Sequence, residues 1–278
     1  MTPSIRLDAP MLVFGGPYSN LQATEAVLAE AARRGVAADH VLCTGDVVAY
    51  GADAAACCDR MMASGAVVMM GNCEENLAAE SEDCGCGFEE NTECDLLSRA
   101  WYAHASRQVG PRHRAWMAGL PARLHLELPD GRRLAVLHGG VNDISRFLFA
   151  STPEPVLLEE LADTGCHGVI GGHCGIPFAR RIAGGGLWVN AGAIGMPGND
   201  GTPRAWFAML TPARRGLTVD ILPLEYDHAA AAAAMRAAGL PEGYAAGLET
   251  GLWPSCDVLP SVELAGRGKA LAPQRLSW

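Results

Sequence analysis

A chain of 278 residues, 49% hydrophobic and 19% charged, has the balance of a globular protein and excludes a disordered one. Its formal net charge of −10 excludes a surface built to track nucleic-acid phosphates; the basic pairs Arg33–Arg34, Arg132–Arg133 and Arg180–Arg181 are too short to change that. No apolar stretch approaches the roughly 20 residues of a membrane span, and MTPSIRLDAP lacks the pattern of a secretory signal, so a cytoplasmic location is expected.

In chain order, MLVF (11–14) predicts a first strand ending in the turn GGPYSN, followed by a helix over 20–34 with Asn20 as its cap and Gly35 past its end. A strand over 41–44 leads to Gly45–Asp46, a helix covers about 53–64, and a strand over 66–70 ends at Gly71–Asn72. This alternation implies a parallel sheet with right-handed crossovers. The acidic, cysteine-bearing stretch at about 74–95 breaks the rhythm and reads as an inserted loop, before a helix at about 96–118. LHLEL and RLAVLH flank Pro129–Asp130–Gly131, a hairpin signal. A helix at about 154–163, strand GVIGG, a hairpin in RRIAGGGLWVNAG, and the runs AWFAML and LTVDILPL form a second block rich in antiparallel pairing. AAAAAAMRAAG predicts a helix stopped by Gly239 and Pro241, and 242–278 reads as an irregular extension. Neither a repeat nor a linker is evident. One domain over 1–278 is expected, with the cysteine-rich insertion at about 74–95 and a helical and irregular C-terminal extension at about 228–278.

Four polar residues stand out: Asp46, Asn72, His138 and His173 each end an apolar run and sit beside glycine. Strand ends are where α/β sheets place ligands and reacting groups. A carboxylate, an amide oxygen and two imidazoles converging there would suit a divalent or trivalent transition metal. The bland alternative is two satisfied core histidines and a turn carboxylate.

The order and spacing of Gly45–Asp46 with Tyr50–Gly51, Gly71–Asn72, His138–Gly139, Gly172–His173 and VNAGAIGMPGNDGTPRAWFAML resemble the calcineurin-like metallophosphoesterases, in particular their bacterial phosphodiesterase-like branch, over about 11–222. The resemblance implies an α/β fold, a four-layer αββα sandwich of two mixed sheets. It also implies two metals bridged by the second-motif aspartate, here Asp46. Aligning SNLQATEAVLAEA with the family's first helix puts Gly16 at the first-motif aspartate and Tyr18 at its histidine. Cys73 replaces the histidine that resembles the general acid, and Gly175 replaces the last histidine. Every private ligand of the first metal is thus missing, while Asp46, Asn72, His138 and His173 keep the full set for the second. What the resemblance implies is a divergent phosphoesterase using Mn, Fe or Zn on a small phosphorylated substrate, with Cys73 and His138 at catalytic positions. A lone metal cannot clamp both attacking and leaving oxygens as a pair does. Loss of the acid histidine would slow expulsion of a poor leaving group by about 10²–10⁴-fold.

Ten cysteines without an export signal point toward metal binding or reactivity, although Cys57, Cys58 and Cys166 lie where a thiol is simply a small buried hydrophobe. Cys73, Cys84, Cys86, Cys94 and Cys174 are candidates for extra thiolate ligands, toward iron, zinc or an iron–sulfur cluster. The spacing C-x10-C-x-C-x7-C matches no standard pattern, so free thiols or one redox-sensitive disulfide remain the alternative. Tyr18 is a candidate substrate contact or metal ligand, or else a packed tyrosine. Arg146 would pair with a phosphate oxygen if it faces the cleft. Two other functions fit the same residues: a metalloenzyme of altered, thiolate-based chemistry, and a catalytically silent protein that binds a phosphorylated ligand or a metal.

Overall fold

A computed structural model describes residues 2–278. The chain enters through β1 (Ser4–Arg6) and β2 (Met11–Phe14), then crosses α1 (Leu21–Arg33) to β3 (Val41–Cys43) and α2 (Ala54–Ser64) to β4 (Val67–Val68). Asn20 caps α1 by accepting the amide of Ala23, one of the donors a helix start leaves unpaired. Next come α3 (Asn72–Ala78), α4 (Glu93–Gln108), α5 (Pro111–Ala118), the hairpin β5 (Leu124–Glu127) to β6 (Arg133–Val136), α6 (Glu154–Thr164) and β7 (Gly168–Gly171). The hairpins β8 (Phe178–Ile182) to β9 (Gly186–Asn190) and β10 (Ala205–Pro212) to β11 (Leu217–Leu224) follow. The chain finishes with α7 (His228–Ala237), α8 (Glu242–Thr250), the single turn α9 (Ser261–Leu264) and β12 (Gln274–Ser277).

Two six-stranded mixed sheets result, ordered β1-β5-β6-β7-β9-β8 and β12-β11-β10-β2-β3-β4. In the second, β2, β3 and β4 are parallel; in the first, β6, β7 and β9 are. The pleat sorts side chains between two cores. Met11, Val13 and Leu42 point between the sheets, where they meet Leu126, Leu134 and Ile170. Leu12, Phe14, Val41 and Cys43 point outward onto Val27 of α1, Met61 of α2 and Ala232 and Met235 of α7. Leu157 of α6 covers the far face of the other sheet with Val169 and Trp188. The expected four layers, helix on sheet on sheet on helix, are present.

Three local expectations are corrected. The single helix expected at 96–118 is two, because Gly110 is extended ahead of Pro111, which starts α5; a residue before proline is pushed out of the helical region. The segment at 74–95 is not loop from its start, since α3 carries the chain to Ala78. The extension beyond 242 contains α8 and the edge strand β12, whose Gln274–Ser277 pair with Thr218–Ile221. A four-residue polar strand carries no alternation from which to read it. Among the described residues, no helix is long and apolar enough to cross a membrane.

Asp130 in the β5–β6 turn ties the two sheets together at one corner. It accepts from the Arg132 amide and guanidinium and from the amide of Gly216 in the β10–β11 turn. The Arg132 guanidinium foremost, helped by these amides, pulls its carboxyl down to about 2 from an ordinary 3.8. A depressed carboxylate stabilises the fold above its unfolded pKa and loses that contribution as pH falls through the folded value. Asp130→Asn should therefore cost about 1 kcal/mol or less near neutrality, in the range of surface ion pairs. The gap from the parent should close between pH 4 and 2 in denaturant titrations run across that window.

Candidate metal centre

The carboxyl ends of β3 and β4 in one sheet and of β6 and β7 in the other deliver Asp46, Asn72, His138 and His173 to a common point. His138 Nε2 lies 3.2 Å from Asp46 Oδ2, 3.1 Å from Asn72 Oδ1 and 3.0 Å from His173 Nδ1. Asp46, His138 and His173 each bring a ligand atom within 4.8 Å of the others, and all four residues are buried. The turn that makes this possible is tight. Asp46 itself adopts φ 57°, and a Cβ on Gly45 would come within 2.7 Å of the Gly71 nitrogen and 2.9 Å of His138 Nδ1. Only glycine fits there.

The hydrogen bonds around the cluster aim its lone pairs inward. His138 Nδ1 lies 2.8 Å from the Thr44 carbonyl, which can only accept, so Nδ1 carries the hydrogen and Nε2 offers a lone pair. The Asn72 amide donates to the Cys84 carbonyl at 2.9 Å, which turns Oδ1 toward His138. Oxygen and nitrogen lone pairs so gathered in a buried space require a proton or a cation between them. This donor set of one carboxylate, one amide oxygen and two imidazoles fits a transition-metal ion. Burial alone would raise the Asp46 carboxyl, but His138 and His173 outweigh it and hold the group below its ordinary value. Burial, with His138 beside it, pushes His173 down to about 3, which leaves it neutral. His173 Nε2 is buried and has no hydrogen-bond partner.

Glu74, which sequence reasoning passed over, is fully buried behind the cluster. Its carboxylate accepts from the amides of Asp46 at 2.7 Å, Gly71 at 3.0 Å and Val48 at 3.3 Å, and so clamps the β3 loop to the start of α3. Burial and the Asp46 charge raise its carboxyl to about 7. The signal that could have found it is its place in Gly71–Asn72–Cys73–Glu74, two residues past a ligand.

Tyr18 and His173 line one cleft. A side chain on Gly16 would run into the ring of Tyr18, and the Tyr18 hydroxyl reaches toward Gly175, 3.6 Å from where a Cβ would stand. Gly16, Tyr18 and Gly175 therefore lie together, with the buried Tyr18 ring beside both glycines. Cys73 is 1% exposed; burial, then the Asp46 and Glu74 carboxylates, push its thiol well above the ordinary range. Its backbone amide donates to Asp46 Oδ1.

The remaining candidates separate. Cys84 and Cys86 form a disulfide beside Asn72, whose amide lies 3.5 Å from the Cys86 sulfur and 3.6 Å from that of Cys73. Cys94 stands apart from them at the start of α4, where its amide donates to Asp257. Cys174 accepts from Asn190 and packs beneath the outer face of its sheet. Arg146 lies near His138 and His173, but its guanidinium is paired with Glu160.

Residues 19–214 match the model of the calcineurin-like phosphoesterase superfamily domain. The chain belongs to this superfamily. No curated protein matches the chain. Among solved structures, a metallophosphoesterase from Sphaerobacter thermophilus is similar at 24% identity and TM-score 0.68, covering 88% of this chain and 99% of its own. A hypothetical protein from Pyrococcus horikoshii is similar at 17% identity and TM-score 0.71, covering 90% of this chain and 100% of its own. At these identities the likeness speaks for the fold.

Two measurements check the geometry. Elemental analysis and calorimetry with Mn²⁺ should find one high-affinity ion per chain if Asp46, Asn72, His138 and His173 act as one ligand set. Glu74→Gln should weaken that binding by about 10–100-fold, the usual cost of losing a group that orients metal ligands, with the far-UV spectrum unchanged.

Proposed function

We propose that this member of the superfamily is a phosphoesterase working with one transition-metal ion, Mn, Fe or Zn, on a small phosphorylated substrate. The observation that carries this reading is the inward convergence of Asp46, Asn72, His138 and His173, with the buried Tyr18 ring lining the same cleft as His173. An ion held by those four residues would supply Lewis acidity toward a phosphoryl oxygen. The chain's own residues then set the limits of the reaction. Thr44 holds the His138 tautomer, Glu74 holds the two loops in register, and burial keeps bulk water from competing for the ligands. Cys73 stands where the family's acid would stand, and a buried thiol is a poor proton donor to an ester oxygen. The leaving group must therefore depart without a proton from that position. Esters of acidic alcohols are the matching class.

The test is hydrolysis of bis(p-nitrophenyl) phosphate and p-nitrophenyl phosphate by Mn²⁺-loaded protein. Turnover is expected on one or both, falling at least 10²-fold in His173→Ala, and falling about 10²–10⁴-fold when an alkyl alcohol replaces the nitrophenol. Full metal occupancy with no turnover on any mono- or diester would overturn hydrolysis and leave a protein that binds without reacting.

A further inference from the structure

A narrow cleft, with about 70 Å³ of space for water-sized groups, opens on the candidate metal centre at His173 and runs away from it between the cysteine-rich insertion and the C-terminal extension. Its wall carries six aromatic rings: Tyr18, Tyr50, Phe88, Phe147, Tyr244 and Trp253. Among the described residues, no Asp, Glu, Lys or Arg lines it. A wall without a cation cannot neutralise a second phosphate, so a polyphosphate chain does not suit it; nor does a sugar, which needs converging polar side chains. Flat apolar surface does suit it.

The rings are held in place. Tyr18 meets Tyr50 edge-on at 4.9 Å, and Tyr50 lies 4.8 Å from Tyr244, which makes a buried aromatic floor. Trp253 donates its indole N–H to the Pro197 carbonyl at 2.7 Å, and its amide donates to Asn199. Phe147 lies 4.3 Å from the His173 ring and stacks on Phe149 at 6.0 Å, so one aromatic face adjoins the metal centre directly. Rings fixed before a ligand arrives cost little to order, and aromatic pairs gain from offset or edge-on contact. Tyr244 and Trp253 lie outside residues 19–214, the part that matches the superfamily. This wall is built by the chain's own C-terminal extension.

Resting on the phosphoesterase reading above, we infer that the cleft is a specificity pocket for a planar aromatic group carried on the phosphorus, seated against Trp253 and Phe147 while the phosphoryl oxygens face His173 and its partners. The substrate class is then an aryl-bearing phosphate ester rather than a sugar phosphate, an alkyl ester or a polyphosphate.

Phosphonates test this without depending on turnover, because their P–C bond is not hydrolysed by ester chemistry. Calorimetric titration of the Mn²⁺-loaded full chain should find phenylphosphonate bound at least about tenfold tighter than methylphosphonate. Trp253→Ala should erase most of that preference while leaving methylphosphonate affinity unchanged, Phe147→Leu should lower the phenylphosphonate-to-methylphosphonate ratio, and Trp253→Phe should keep the preference. A retained melting transition in each variant separates loss of the pocket from loss of the fold. Equal affinity for the two phosphonates, a preference untouched by both substitutions, or no binding of either would overturn the pocket. Turnover of nitrophenyl esters with equal phosphonate affinities would leave hydrolysis standing and remove only the aromatic specificity. A phenyl preference without any turnover would do the reverse.

Discussion

Two carboxylates buried in one loop cluster are the constraint around which the centre is organised. Asp46 and Glu74 are 4% and 0% exposed, and neither can be so placed without partners. Glu74 is satisfied by three backbone amides from the Asp46 and Gly71 turns. Asp46 accepts from the Cys73 amide at one oxygen, while its other oxygen faces His138 Nε2 across the place where a shared proton or a cation belongs. The left-handed backbone at Asp46, the Gly45 turn and the start of α3 all follow from bringing these groups together. Their surroundings divide their behaviour: burial would raise both, but His138 and His173 hold Asp46 below its ordinary value, whereas burial and then the Asp46 charge raise Glu74 against the pull of its amides.

The centre sits on a seam. Its candidate ligands come in pairs from two sheets, so its geometry depends on how Val13, Leu42, Leu134 and Ile170 pack between them. Interiors at crystal-like density transmit small volume changes, and a metal centre spanning two sheets inherits that stiffness. Phosphoesterase superfamily membership and the four-layer fold account for the scaffold. They do not account for Tyr18, whose ring packs beside Gly16 and lines the aromatic cleft.

The thiols follow a different logic from the one their spacing implied. Cys73, Cys84 and Cys86 gather around Asn72, while Cys94 packs by Asp257 and Cys174 by Asn190. Sequence distance could not sort these, because the insertion folds back along the cleft and its register depends on contacts such as Ser145 with Gly85. Cys43, Cys57 and Cys58 are core residues, each with a thiol pushed up chiefly by burial.

From the residues alone the buried central strands, their crossovers and the convergence of Asp46, Asn72, His138 and His173 were legible, because each rests on a local rule: apolar runs make buried strands, glycine permits the sharp turn, and a polar residue at a strand end faces the cleft; the short edge strands β1 and β12 follow no such rule. The break at Gly110–Pro111 was equally local and could have been read from the proline. What clamps the Asp46 and Gly71 loops and what walls the cleft came from the folded chain alone. Glu74 meets Asp46 and Val48, and Trp253 meets Pro197, across 26 to 56 residues, while Tyr18 packs back on Gly16 through a turn, and no periodicity encodes such meetings. Packing alone brings them together.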